Sequence, residues 1–489
     1  MTQSSSVDYL TLKCNLLKMW MPVRGVRTPA DLWTKNFEKY CGKQVYCAMQ
    51  DWLNRSFKVF LFEPHFESYF DSHAPFEFDK AILSGSCSEG LFLYSAEPPD
   101  MDFMCVLKNI MFTLEDQQNG CLWSREDTPF VDAFITNKGT QKLWSAFHDN
   151  AEKGTGKHRL SSRKLKEKLQ ENYQKTGNIF SAIFGKEEQS EEVTEGAAMT
   201  ISKPESAISY CDCLVEFLTK FLNNPINEQF DADKEYLESI AGLPDLLYTR
   251  IVQASDIVLA IFCEGWPSCA REWITRKRQW PDMHSVDTIS NSGYHIVPKS
   301  SPDGNFRLSF SCAETMLVES LIPLQHRVMR AFKAVMKYHE NTWSPNLKNI
   351  ISSYHLKTTA FWHFEKTSQE SWTEETLVHH LVALLEELAE ALRMQNLPMY
   401  FMPKVNLLQD VDAPDVTLDL MEKISQLSQN FSAMSEGVNN NISLRDFVGT
   451  DYDKMFNIFD MVREEKLKNA EQGGERSFTW YDLFNIVGN

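Results

Sequence analysis

Ile82-Leu-Ser-Gly-Ser-Cys-Ser-Glu-Gly90, followed shortly by Asp100-Met-Asp-Phe-Met104, is the stretch that decides how this chain folds. The apolar residues Ala81 to Leu83 read as a strand running into Gly85-Ser86 and a turn of small residues. Such a turn lets backbone N–H groups converge on a phosphate, because no bulky Cβ blocks the approach. Asp100 and Asp102 stand at i and i+2 ahead of the apolar run Phe103 to Leu107. On a strand those positions share a face, so both carboxylates project together. Two like charges side by side suit a divalent cation. A phosphate cradle followed by a paired-Asp strand is the minimum equipment for metal-assisted nucleotidyl transfer. The same residues also read as a solvated loop ending at a strand cap, and a short glycine motif does not separate the two readings.

Outward from this stretch, a third acid opens another apolar strand, Ser255-Asp-Ile-Val-Leu-Ala-Ile-Phe262. Asp256 is the natural third ligand of a two-metal site, although alone it reads equally well as a turn residue capping a strand. Thr128-Pro-Phe-Val-Asp-Ala-Phe134 is a further strand. Between the Asp pair and Asp256 the chain turns basic, with Lys153, Lys157, Arg159, Arg163, Lys164, Lys166, Lys168 and Lys175 against Glu167 and Glu171. Leu160, Leu165 and Leu169 mark a helix there. Gly154-Thr-Gly-Lys157 is not a phosphate loop, since Ala151 and His158 occupy the positions that would need Gly and Ser or Thr.

Composition bounds the rest. The 489 residues are 43% apolar, which fits two or three globular domains. A net charge of −18 gives no overall field attractive to nucleic acid, so a polyanion would need a local basic patch. Lys153–Lys175 is one candidate patch, and Lys35, Lys39 and Lys43, on one helical face, are another. The 11 Cys form no regular framework, and no run of about 18 apolar residues spans a bilayer. With no leader signal, a cytoplasmic protein with reduced thiols is expected. Cys211 and Cys213 lack a second ligand pair. Asp410, Asp412 and Asp415 do not make a calcium loop.

The C-terminal half reads as helical. His326 to His339 is an amphipathic helix carrying Arg327, Arg330, Lys333 and Lys337. Another starts near Ile350, with Ser352 and Ser353 as candidate caps. Leu381, Leu384, Leu385, Leu388 and Leu392 line the core stripe of a third.

Gly85-Ser86, Asp100-x-Asp102, Asp256, Arg307-Leu-Ser-Phe-Ser311 and Ser352-Ser-Tyr-His-Leu-Lys-Thr358, in that order, resemble the cGAS-like receptors of the male-abnormal-21-like nucleotidyltransferase superfamily. Cys269-Ala-Arg-Glu-Trp273, Arg278-Gln-Trp-Pro281 and Tyr294-His-Ile-Val-Pro-Lys299 are similar to that family too. The match covers roughly residues 80–408. It implies an α+β fold: a polymerase-β-like nucleotidyltransferase core with a mixed sheet, plus a helical second lobe. With the residues' own helical reading at both ends, the expected organisation is a helical segment over 1–75, a core over 76–290 with an insertion at about 205–250, a helical lobe over 291–408 and a helical extension over 409–489.

The resemblance also implies synthesis of a cyclic dinucleotide from two nucleoside triphosphates (ATP, GTP or a pyrimidine triphosphate), as in innate immune sensing. Carried over by motif, Asp100, Asp102 and Asp256 would bind Mg²⁺ or Mn²⁺. Gly85 and Ser86 would hold triphosphate oxygens, and Lys333 and Ser353 would touch phosphate. Arg307 and Ser309 would meet a base edge, Glu314 would make another nucleotide contact, and Tyr354 would stack on a base. The DNA-sensing synthase carries a His/Cys zinc insertion before the basic helix. Here Glu319-Ser-Leu-Ile-Pro-Leu-Gln-His326 has no Cys, so no structural zinc is expected. Relatives without that insertion include sensors of double-stranded RNA, which need a basic face for backbone contacts. Two other functions fit the same fold: a catalytically silent nucleotide-binding scaffold, and a synthase of linear oligonucleotides.

Overall fold

The computed structural model describes residues 3–19, 21, 24–25, 66–93, 101–149, 156–184, 198–202, 254–409, 411, 414–439 and 441. Asp100, Lys35, Lys39, Lys43, Lys153 and the insertion at about 205–250 lie outside the described residues, as does the tail beyond 441. Nearly all described residues fall in one compact unit, made of 1–28, 64–201 and 254–442.

Its centre is a mixed sheet. The strands are β1 (Phe78–Ser84), β2 (Met101–Phe112), β3 (Leu122–Arg125), β4 (Thr128–Ile135), β5 (His158–Arg159), β6 (Ala198–Ser202), β7 (Ala254–Cys263), β8 (Tyr294–Ser301) and β9 (Gly304–Ser309). They run in the order β1-β2-β7-β8-β9-β4-β3, with β5 against β4 and β6 against β7. β2 and β7 are parallel, whereas β1 with β2, β7 with β8, and β8 with β9 are antiparallel. The apolar runs of β2 and β7 are continuous because both faces are covered: Phe103, Cys105, Ile257 and Leu259 are as buried as Met104, Val106 and Ala260. The sheet continues through Ser309, past the boundary expected at 290. Phe306 and Leu308 on β9 bury one face while Arg307 and Ser309 point to the other.

The helices that concern the site are α1 (Gln3–Lys18), a single turn α2 (Gly85–Ser88), α3 (Ser162–Phe184), α4 (Ser311–Glu319), α5 (Pro323–Glu340), α6 (Ser353–Lys366), α7 (Leu377–Arg393), α8 (Pro414–Ser428) and α9 (Phe431–Asn439). The leucine stripe of α7 is core as read: Leu381, Leu384, Leu385, Leu388 and Leu392 are fully buried. At α6 the cap is Ser352, whose side chain accepts the His355 N–H while the His355 ring bonds back to its backbone. The basic residues of α5 do not form a solvated face. Arg327 donates from Nη1 to the carbonyls of Leu16, Leu17 and Met19 at 2.8, 2.8 and 2.9 Å, satisfying the open C-terminal end of α1. Arg330 is fully buried, and Lys337 pairs with Glu340 at 2.8 Å.

Candidate active site

The register of β2 and β7 brings the second and third acids together. Asp102 and Asp256 are direct partners across the two parallel strands, with Ser84 of β1 opposite Asp102 on its other side. Partners in neighbouring strands share a face. Two residues further along, that face packs Met104, Val106, Ala260 and Val297 with Ile82 and Val258. The carboxylates therefore stand at the partly exposed end of a packed face, which holds them in place. Two adjacent carboxylates with oxygen donors on one face fit a hard divalent cation, so the residues present suit the group that the fold implies.

Gly85 follows directly on β1 with φ +69°, and a Cβ there would overlap the Asp102 carboxylate. Glycine is needed twice over, for the left-handed backbone and for the close approach. The turn is held by its own chain, Glu89 N–H donating to the Gly85 carbonyl at 3.2 Å and Leu91 N–H to the Ser86 carbonyl at 2.9 Å. Ser84 Oγ donates to the Asp102 carbonyl at 3.2 Å, tying the turn to the acid strand.

The remaining candidate residues approach from β9 and the helices. Ser309 Oγ lies 3.5 Å from Met104 Sδ, which puts Arg307 and Ser309 on the acid-bearing face. Glu314, in the first turn of α4, is buried and accepts Lys357 Nζ at 2.8 Å. Tyr354 lies near Glu314 and Arg307; burial first, then Glu314, pushes the phenol well above its ordinary range. Lys333 on α5 is drawn down to about 8 by burial, against the opposing pull of Glu89. Ser353 opens α6 beside Tyr354 and is exposed. The structure thus joins Asp102, Gly85, Ser86, Glu314, Lys333, Ser353 and Tyr354 through short links, with Arg307 and Ser309 on β9, two strands from β7.

Two residues of this cluster carried no assigned role in the sequence. Lys357 bridges Glu314 and Glu89, the second bond being 2.6 Å. A lysine one turn after Ser353 and Tyr354 on the same helix face was a legible signal. Glu89, 1% exposed, sits among the small residues of the turn. Its carboxyl is raised by burial and lowered by Lys357.

The basic stretch is not a single helical face. Helix α3 begins at Ser162, and Leu160 precedes it. Lys157 donates to the carbonyls of Asn119 and Gly120, and Arg159 pairs with Asp132 at 2.6 Å. Arg163 pairs with Glu167, Lys164 with Asp149 and Lys168 with Asp71, at 3.8, 3.7 and 2.9 Å. Lys166 is partly buried, which lowers its pKa.

Comparison with known proteins falls on the same regions. Residues 250–320, which hold Asp256, Arg307, Ser309 and Glu314, match the Mab-21 protein nucleotidyltransferase domain. Residues 325–426, which hold Lys333, Ser353, Tyr354 and Lys357, match the Mab-21 protein HhH/H2TH-like domain. By fold and site this is a protein with a nucleotidyltransferase domain, a class that generally uses divalent metal ions. It carries both Mab-21 domains in order, consistent with a member of the Mab-21 and cGAS-like receptor family. Among curated relatives it is 26% identical over 166 residues to mab-21-like 3 of Xenopus laevis, covering 34% of this chain and 44% of that one. It is 33% identical over 182 residues to a cyclic GMP-AMP synthase-like receptor of Magallana gigas, covering 35% and 29%. Each match spans less than half the length of the curated relative. Among the described residues, no helix is long and apolar enough to cross a membrane.

Proposed function

We propose that this chain is a ligand-activated nucleotidyltransferase that joins two nucleoside triphosphates into a cyclic dinucleotide. The observation carrying the proposal is the in-register pair Asp102 and Asp256, with Gly85 packed against Asp102. Asp100, Asp102 and Asp256 would hold Mg²⁺ or Mn²⁺. Such ions offset phosphate charge and lower the pKa of the attacking ribose hydroxyl.

The chain's own residues bind and orient. Gly85 and Ser86 present backbone N–H groups and a hydroxyl to triphosphate oxygens, and Lys333 and Ser353 supply further phosphate contacts. Arg307 and Ser309 meet a base edge. The Tyr354 ring, beside Glu314, offers a flat face to the other. Placing two nucleotides so that one hydroxyl faces the other's α-phosphate is the largest task left to the protein.

Double-stranded RNA is the activator in this reading, through Lys153, Lys157, Arg159, Arg163, Lys164, Lys166 and Lys168. The exposed pairs of Arg163 and Lys164 are no obstacle, because such pairs are worth only about 0–1 kcal/mol and yield to phosphate. Support for the reading also comes from the relative named as a cyclic GMP-AMP synthase-like receptor.

The test incubates the purified full chain with Mg²⁺ or Mn²⁺, labelled triphosphates and double-stranded RNA, then adds phosphatase. A phosphatase-resistant product is expected. A product trimmed by phosphatase would make the chain a linear oligonucleotide synthase. Nucleotide binding with no product under any ligand or metal would make it a silent scaffold.

A further inference from the structure

Three helices and the candidate phosphate turn meet at one residue. Glu89 closes the Gly85–Ser88 turn, and its backbone N–H donates to the Gly85 carbonyl. Its own carbonyl accepts His326 Nε2 of α5 at 2.8 Å. Its Oε1 accepts Lys357 Nζ of α6 at 2.6 Å, and the same ammonium reaches Glu314 of α4 at 2.8 Å. Just before it, Ser88 Oγ and Thr315 Oγ1 of α4 lie 3.2 Å apart. Glu89 is buried, and its Oε2 has no hydrogen-bond partner among the described residues.

Burying a second carboxylate next to a site meant for phosphates makes no electrostatic sense by itself. It repels the ligand, and a buried ion pair is weak evidence for stability. Its value lies in geometry. Lys357 stands one turn beyond Ser353 and Tyr354, so a bond from Glu89 to Lys357 fixes the distance between the turn and that end of α6.

We infer that Glu89 is a positioning residue: acting through Lys357, it sets the phosphate turn in register with the helix that carries Ser353 and Tyr354. The inference rests on the reading that turn and helix grip one nucleotide. A displacement of about 1 Å in such a grip is enough to matter.

Two substitutions separate position from charge in the full chain. Glu89→Asp keeps the charge and draws the carboxylate back by one methylene. Glu89→Gln keeps the length and removes the charge. The readouts are Mg²⁺ with a fluorescent GTP analogue for affinity, thermal unfolding for integrity, and amide exchange over 85–91 and 353–357. Positioning predicts that Glu89→Asp weakens nucleotide binding roughly tenfold while Glu89→Gln does not strengthen it, in proportion to losing a charged hydrogen bond. It also predicts that exchange in Glu89→Asp rises in both segments together. A purely electrostatic role predicts the reverse: tighter binding by Glu89→Gln and none lost by Glu89→Asp. That result, or exchange rising in one segment alone, overturns the inference. If the unaltered chain binds no nucleotide, the functional reading fails by itself, and the coupled exchange still decides whether Glu89 registers turn to helix.

Discussion

Two pairs of carboxylates meet in this protein, and they are handled in opposite ways. Asp102 and Asp256 sit side by side at the partly exposed end of parallel strands, pinned by a packed sheet face below them. Glu89 and Glu314 come from a turn and a helix, are buried, and share the ammonium of Lys357. The second pair carries its counter-cation as a side chain of the same fold. The first is an oxygen donor set of the kind that hard divalent ions require. Glu89 and Glu314 are buried around one ammonium, and there the cluster serves structure. Where the donors stand at an accessible strand end, the cluster suits chemistry.

The sharpest way to break this contrast is Lys357→Met. It leaves two buried carboxylates without their shared cation, and removal of one partner from a buried ion pair costs about 3–5 kcal/mol. The urea midpoint of the variant should fall accordingly; a midpoint equal to that of the unaltered chain would show the cluster to be slack. Asp256→Asn is the counterpart on the other pair. It removes charge at constant volume, so the fold should keep its unfolding temperature while product formation drops roughly a hundredfold or more, the size expected for losing a metal ligand. Turnover like that of the unaltered chain would remove Asp256 from the site.

Acidity sharpens the comparison from below. His326, bonded to the Glu89 carbonyl, is pushed down to about 3 by burial, and His295 on β8 to about 4 for the same reason. Below about 6.5 the unfolded chain binds protons that these rings in the folded chain refuse. Stability is therefore fully present above that pH and is lost as pH falls toward 4, by about 1.4 kcal/mol per unit for each histidine. Urea midpoints at descending pH measure the slope, and His326→Gln should reduce it by about 1.4 kcal/mol per pH unit, the share of one such histidine; an unchanged slope would assign the acid sensitivity elsewhere.

The smallest effect on the fold is expected at the basic stretch. Exchanging Arg163, Lys164 and Lys168 for Glu removes three partly or fully exposed pairs, each worth only about 0–1 kcal/mol. It should nevertheless abolish stimulation by double-stranded RNA, and stimulation of the unaltered chain should fall steeply with salt. Unaltered activation in the triple variant would place the activating ligand elsewhere.

Much of this was legible along the chain because the signals are local. An apolar run opened by one acid announced β7 and Asp256, small residues after Leu83 announced the turn, and leucines at helical spacing announced the buried stripe of α7. Each depends on backbone preference or side-chain period over a few residues. The cap of α6 was narrowed to two serines, and backbone geometry chose Ser352. The ion pairs of the basic residues were not legible for the opposite reason: the partners Asp71, Asp132 and Asp149 lie elsewhere in the chain, and nothing near Arg159 or Lys168 foretells them.

By itself, then, the sequence marked the strands that carry the turn and the acids, the leucine-striped helix α7, and the residue types that suit phosphate and metal. Only the tertiary structure decided that Asp102 and Asp256 are register partners, that Arg327 closes the end of α1, and that Lys357 serves Glu89 and Glu314 at once. Those pairings join residues separated by up to several hundred positions. They are set by how strands align and helices pack, and no short-range preference encodes such an alignment.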